Sequence, residues 1–162
     1  MNELPALAVA LAACFAAAGI GDLATSRSLK DWYVRLPKPS WNPPNWIFGP
    51  VWTLLYLLMA VAVWLVWIER GERDVTGPLT WFAAQLALNV LWSVAFFGLR
   101  SPVGGLVVIV ALWWAIAATI FVFAPLSALA AAMLVPYLGW VTFAMILNGA
   151  IAGNVAGSRG RA

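Results

Sequence analysis

The chain has 162 residues, of which 64% are hydrophobic and 9% charged, with a formal net charge of +3 and a single Cys. An average soluble domain is about 25% charged, and a fold this short cannot hide so much apolar surface from water. A soluble globular domain, a disordered chain and a disulfide scaffold are therefore excluded, and an all-α polytopic membrane protein is expected.

A spanning helix needs about 20 mostly apolar residues. The first run that qualifies covers 4–23. Its Leu11-Ala12-Ala13-Cys14 resembles a lipoprotein cleavage site, but the preceding Met-Asn-Glu-Leu-Pro is acidic, whereas a signal peptide opens with positive charge. The run therefore reads as a retained span. Asp22, near its end, is the one charge inside any run. It reads as an interfacial carboxylate, with contact to a ligand as the lesser alternative.

A long connection, 26–45, follows. Pro37, Pro39, Pro43 and Pro44 hold it extended or turned, and Trp32, Tyr33 and Trp41 give it aromatic surface to pack against helix ends. A loop this long in a compact domain is usually functional, and this one reads as a lid. The second run, 46–68, stops at the charged stretch Glu69 to Asp74; the third, 79–99, closes at Arg100-Ser101-Pro102. The fourth, 103–124, is followed by Pro125, and the fifth, 126–155, leads into a Gly/Arg tail. Continuous runs favour helices, because barrel strands alternate over about ten residues. The expected fold is a single five-helix transmembrane bundle.

The basic residues lie between the runs and so read as topology signals, with no nucleic-acid partner implied. Arg27, Lys30, Arg35, Lys38, Arg100, Arg159 and Arg161 fall on one side; Arg70 and Arg73 fall on the other. This bias puts the first loop and the C-terminus in the cytoplasm and the N-terminus outside. Which membrane hosts the bundle is left open.

The chain contains no His, so imidazole acid–base chemistry and His-ligated metal or haem are absent. A lone Cys14 makes no thiolate cluster, and no metal site or required cofactor is expected. Coupled ion transport is disfavoured by the lack of charge at the midplane. No nucleotide-binding motif is visible.

What is abundant is Trp, with 11 copies. Trp41, Trp46, Trp64, Trp67 and Trp81 lie near span ends, where interfacial belts form. Trp92, Trp113, Trp114 and Trp140 lie mid-span, where a belt does not account for them. On helical wheels, Trp81, Gln85, Asn89, Trp92 and Phe96 share an arc of roughly 80° on the third helix, and Tyr137, Trp140, Ala144, Leu147 and Asn148 one of roughly 100° on the fifth. Trp52, Tyr56, Met59 and Val63 cluster similarly on the second. These groups could serve as core packing or interhelical hydrogen bonds. Their convergence near the loop end points instead to a lined hollow capped by Trp32, Tyr33 and Trp41, suited to a large planar apolar ligand. Ala13, Ala17 and Gly21, like Ala83 and Ala87 and Ala111 and Ala115, recur every four residues and permit close helix contact or dimerisation.

Trp32-Tyr33, Lys38-Pro39-Ser40-Trp41-Asn42-Pro43-Pro44, Pro50-Val51-Trp52, Leu88-Asn89-Val90-Leu91-Trp92, Phe96-Phe97-Gly98 and Val135-Pro136-Tyr137-Leu138-Gly139-Trp140 together resemble the signature of the tryptophan-rich sensory protein (TspO) family, which includes the mitochondrial translocator protein. The resemblance runs from the first helix to Asn148. It implies a bundle that is commonly a homodimer, with a pocket under the first loop. It also implies binding of porphyrins such as protoporphyrin IX, haem-like tetrapyrroles, sterols and isoquinoline carboxamides, and a link to tetrapyrrole-dependent regulation. Pocket positions carried over by motif are Trp52, Asn89, Trp92, Trp140, Ala144 and Leu147. Light-dependent porphyrin breakdown in some members would fall on Trp32 and Trp140 as a photo-oxidation relay. The stretch Leu147–Val155 lacks the Tyr and following Lys or Arg of the sterol motif, so sterol binding by that route is not expected, although lipid contact stays open. Three functions follow: a tetrapyrrole receptor or carrier with ligand candidates Trp32, Trp41, Trp52, Tyr56, Asn89, Trp92, Tyr137, Trp140, Ala144, Leu147 and Asn148; a photo-oxidative enzyme; and a regulatory protein whose ligand shifts a bundle or dimer equilibrium.

Overall fold

The computed structural model describes residues 3–159. Of the basic residues in the charge bias, Arg161 lies outside that range. Five helices, each long and apolar enough to cross a membrane, make up the fold: α1 (Leu4–Lys30), α2 (Phe48–Trp67), α3 (Thr76–Ser93), α4 (Pro102–Phe123) and α5 (Ala128–Arg159). No strand occurs among the described residues.

The helix ends differ from the apolar runs for identifiable reasons. α1 continues two turns past the expected stop at 23, because 24–30 contains neither Gly nor Pro and its basic residues, Arg27 and Lys30, favour a helix C-terminus. Loss of hydrophobicity there marks the exit from the membrane and not the end of the helix. The loop is correspondingly shorter than expected, running from Asp31 to Pro44 before a 3-10 turn (Asn45–Ile47) leads into α2. α3 starts three residues early, with Asp74 Oδ1 accepting from the Thr76 N–H at 2.9 Å. It ends at Ser93, where the backbone widens into a π turn, Val94–Gly98. Arg100, at φ 53°, then reverses the chain. Ser101 caps α4 through the Gly104 N–H at 3.0 Å, followed by Pro102 at a position that needs no donor. Ser127 caps α5 through the Ala130 N–H at 3.2 Å.

The helices close into a ring in which neighbours run α1–α2–α5–α4–α3 and back to α1. Met59, Tyr137, Phe123, Ile116 and Leu134 fill its interior, while Val107, Phe121, Leu129 and Ile146 point outward, as they do in a bundle solvated by lipid. The two mid-span indoles on α4 divide between these environments. Trp113 donates to Thr142 Oγ1 on α5 at 2.8 Å, whereas Trp114 is 67% exposed. At the end opposite the long loop, Arg70 pairs with Glu3 at 3.0 Å and the Trp64 indole donates to the Glu3 carbonyl at 3.1 Å, tying the start of α1 to the end of α2. At the loop end, Ser28 Oγ donates to the Phe97 carbonyl at 2.6 Å, giving a partner to one backbone acceptor of the π turn.

Candidate ligand-binding site

A cavity of about 620 Å³ lies between α1, α2 and α3 at the loop-bearing end. α2 contributes Trp52 and Tyr56, one helical turn apart with ring centroids 5.8 Å from each other. α3 contributes Asn89 together with Trp92 and Ser93, three and four residues further on. The opposite wall is α1, where Ala18, Gly19 and Gly21 offer almost no side-chain volume. The helices are close here: a methyl group on Gly21 would stand 3.2 Å from Ser93 Oγ. Small residues on α1 facing large rings on α2 and α3 are the physical reason that a hollow persists.

The inner end of the cavity is held by a buried relay of polar groups. The Tyr56 hydroxyl donates to Asn89 Oδ1 at 2.6 Å, and Asn89 Nδ2 donates to the Tyr137 oxygen at 2.8 Å, linking α2, α3 and α5. Trp92 Nε1 donates to Asn148 Oδ1 at 3.3 Å, and Asn148 Nδ2 donates to the Pro102 carbonyl at 2.7 Å. These bonds fix the indole and amide planes from behind. Trp52 lies between Trp92 and Tyr137, with centroids at 6.1 and 6.3 Å.

Of the residues expected at the site, Trp52, Tyr56, Asn89 and Trp92 line this cavity. Tyr137 and Asn148 stand directly behind it. Ala144 and Leu147 are buried in the α5 face of the core and do not line it. Trp140 packs between Phe48 and Phe143, at 5.8 and 5.4 Å, and its buried Nε1 has no hydrogen-bond partner. Trp41 leans edge-on against Phe143 at 6.0 Å. Trp32 meets Phe96 at 5.5 Å, and Phe96 stacks on Trp92 at 6.0 Å, so the loop touches the back of the cavity wall through a second ring. No residue of the Asp31–Pro44 loop lines the hollow, so Trp32, Tyr33 and Trp41 do not cap it as expected; Asn45 and Trp46 of the 3-10 turn line it instead.

The wall that sequence reasoning missed is α1: Phe15, Ala18, Gly21, Asp22 and Thr25. Its trace in the sequence was the Ala13-Ala17-Gly21 spacing, which had suggested helix contact, together with Asp22. A second hollow of about 570 Å³ also borders α1, at the other end of the bundle around Val9, Ala13, Val63 and Leu86.

The loop is anchored. Tyr33 is buried against Phe96 and Phe97, and its hydroxyl donates to Asn42 Oδ1 at 2.8 Å. Burial pushes its phenol up to about 12, against a partly opposing effect of Asn42. Lys38 lies over the Tyr33 ring, 4.7 Å from its centroid, and donates to the Tyr33 carbonyl at 2.6 Å. Desolvation lowers the ammonium pKa. Asn154 on α5 donates to the Pro37 carbonyl at 2.9 Å. Among the described residues, no group of three or more His, Cys, Asp or Glu side chains is gathered for a metal.

Five apolar helices of spanning length, packed as a ring with a hollow between α1, α2 and α3, define an integral, multi-pass membrane protein. The family then follows from comparison: residues 8–153 match the model of the TspO/MBR family. The chain is 43% identical over 149 residues to a tryptophan-rich protein TspO of Chlorobaculum tepidum, covering 91% of this chain and 94% of that one. It is 42% identical over 138 residues to a tryptophan-rich sensory protein of Cereibacter sphaeroides, covering 85% and 84% of the two chains. It is 45% identical over 120 residues to the human translocator protein, covering 72% and 70%. The chain belongs to the TspO/MBR family.

Proposed function

We propose that this protein is a membrane receptor or carrier that takes porphyrins, including protoporphyrin IX and haem-like tetrapyrroles, and similar flat apolar molecules into the cavity between α1, α2 and α3. The observation that carries the reading is the cavity itself: about 620 Å³, with Trp52, Trp92 and Tyr56 as rigid walls and Asn89 as a fixed polar group. That volume is within the usual range for small-molecule sites, and flat rings bind by stacking on indole faces. Membership of a family whose named relatives are sensory and translocator proteins supports a sensing or translocating role over a catalytic one. The propionates of a porphyrin would lie toward the loop end of the cavity, nearest Lys30 in the last turn of α1, which the charge bias directs to the cytoplasm. A homodimer is the working unit that the family resemblance supports.

The test is titration of purified protein with protoporphyrin IX, followed by Trp quenching and by the shift of the porphyrin absorption band. Saturable binding in the low-micromolar range or tighter is expected. Trp52→Ala combined with Trp92→Ala should abolish it, while Trp114→Ala, on the lipid-facing side, should leave it intact. Unchanged affinity in the double variant would remove the proposal.

A further inference from the structure

The cavity has one charged side chain among its lining residues, and it is acidic. Asp22 lines the hollow from α1, and no Lys or Arg does. Resting on the reading that this cavity takes flat apolar ligands, we propose that Asp22 makes it selective for those bearing a positive charge, such as a planar aromatic amine.

The first argument is that the carboxylate lacks a partner. Asp22 makes no hydrogen bond and no ion pair among the described residues. The basic residues that follow on α1 are out of reach: Arg27 is turned about 140° round the helix, and Lys30 is about 12 Å along it. The 27-residue helix is about 40 Å long, against a hydrocarbon layer of about 30 Å. Asp22, eight residues from its end, therefore sits at the edge of that layer. An unpaired charge at such a depth is costly, and a cation brought to it gains more than it would in water.

The second argument concerns the walls. Aromatic faces attract cations through their quadrupole, Trp most strongly. Trp46, Trp52 and Trp92 line the same hollow as Asp22. A carboxylate together with several indoles is a donor set that recognises an organic cation: the ring system stacks, and the ammonium or protonated ring nitrogen meets the carboxylate. Conversely, an anionic substituent facing Asp22 is repelled. A porphyrin is then constrained to turn its propionates away from Asp22, toward the loop end of α1, where Lys30 lies.

The experiment uses three acridines of closely similar shape, with the protein in phosphatidylcholine nanodiscs so that the lipid adds no net surface charge. 9-Aminoacridine is a cation at neutral pH, acridine is neutral, and acridine-9-carboxylate is an anion. Their affinities should fall in that order, with the cation about tenfold tighter than the neutral ring, as expected when an exposed charge pair acts together with cation–π contact. Asp22→Asn should remove the cation's advantage and leave acridine within about twofold, a change small enough to exclude general damage. Asp22→Glu should retain the preference, and added salt should weaken the cation alone. The proposal is overturned if the anion binds as tightly as the cation, or if Asp22→Asn changes all three equally or none, which would leave Asp22 a purely interfacial residue. Protoporphyrin IX is titrated in parallel. Saturable porphyrin binding without charge preference among the acridines overturns this inference alone; no binding of any of the four overturns it together with the proposed function.

Discussion

The two sides of the bundle use similar amino acids to opposite effect. Between α4 and α5, and where α3 meets α4, large side chains interlock: Ile109, Leu112, Ile116, Leu134 and Val141 are buried, Phe82 stacks on Phe123 at 6.1 Å, and the Trp113 indole is hydrogen-bonded to Thr142. Between α1 and its neighbours, rings on α2 and α3 face Ala and Gly, and hollows are found toward both ends of α1. An aromatic stripe therefore does not by itself make a hollow. It lines one where the opposing helix supplies too little volume to fill the gap, and otherwise it makes core.

The most damaging way to break this contrast is to add volume on the dense side. A methyl group on Gly105 would stand 2.7 and 2.8 Å from Phe96 atoms and 2.9 Å from Asn148 Oδ1. Gly105→Ala should therefore destabilise the bundle by about 3 kcal/mol, the upper range for overpacking, seen as an early thermal transition in detergent. An unchanged transition would mean that this interface is looser than described. Adding volume on the open side should have the reverse signature. Ala18→Phe fills the cavity from α1, so porphyrin affinity should drop about tenfold, or about 1.4 kcal/mol, with thermal stability kept or raised. A parallel loss of stability would argue against a genuine void there.

How much of this contrast could be read in the sequence depended on which residues carried it. The five spans were legible because apolar runs of spanning length admit few alternatives. Trp52, Tyr56, Asn89 and Trp92 were legible because large or polar side chains in an apolar helix stand out. The α1 wall was not, since its contribution is missing bulk, and Ala18 or Gly21 looks like any other small residue in an Ala-rich helix. Tyr137, Trp140, Ala144 and Leu147 do form one α5 stripe, but only the neighbouring Phe48 and Phe143, brought in by the fold, decide that Trp140 packs there and does not face the hollow. The widened turn at 94–98 leaves no local sequence signature.

The smallest effect sharpens the comparison at the loop, which is anchored to the same rings that back the cavity. Tyr33 in the docked loop keeps its proton up to about 12, while an undocked phenol ionises near its ordinary 10.0. Undocking is therefore favoured as pH rises from about 10 towards 12, because the free loop gives up a proton that the docked one retains. The Trp emission of the protein should shift to longer wavelength across that window as the half-buried Trp32 becomes hydrated. In Tyr33→Phe the shift should lose its pH dependence; persistence of the same transition in that variant would assign it to another group.

The exposed Gly19, Gly49 and Thr53 on the rim of the cavity belong to two spanning helices, so the opening faces sideways. A molecule reaching it from that direction arrives already dissolved among acyl chains. Its concentration at the doorway is set by how strongly it partitions out of water, which can exceed its aqueous level by orders of magnitude. A modest intrinsic affinity then suffices for occupancy at trace supply, and apparent binding constants will scale with the amount of lipid in the assay.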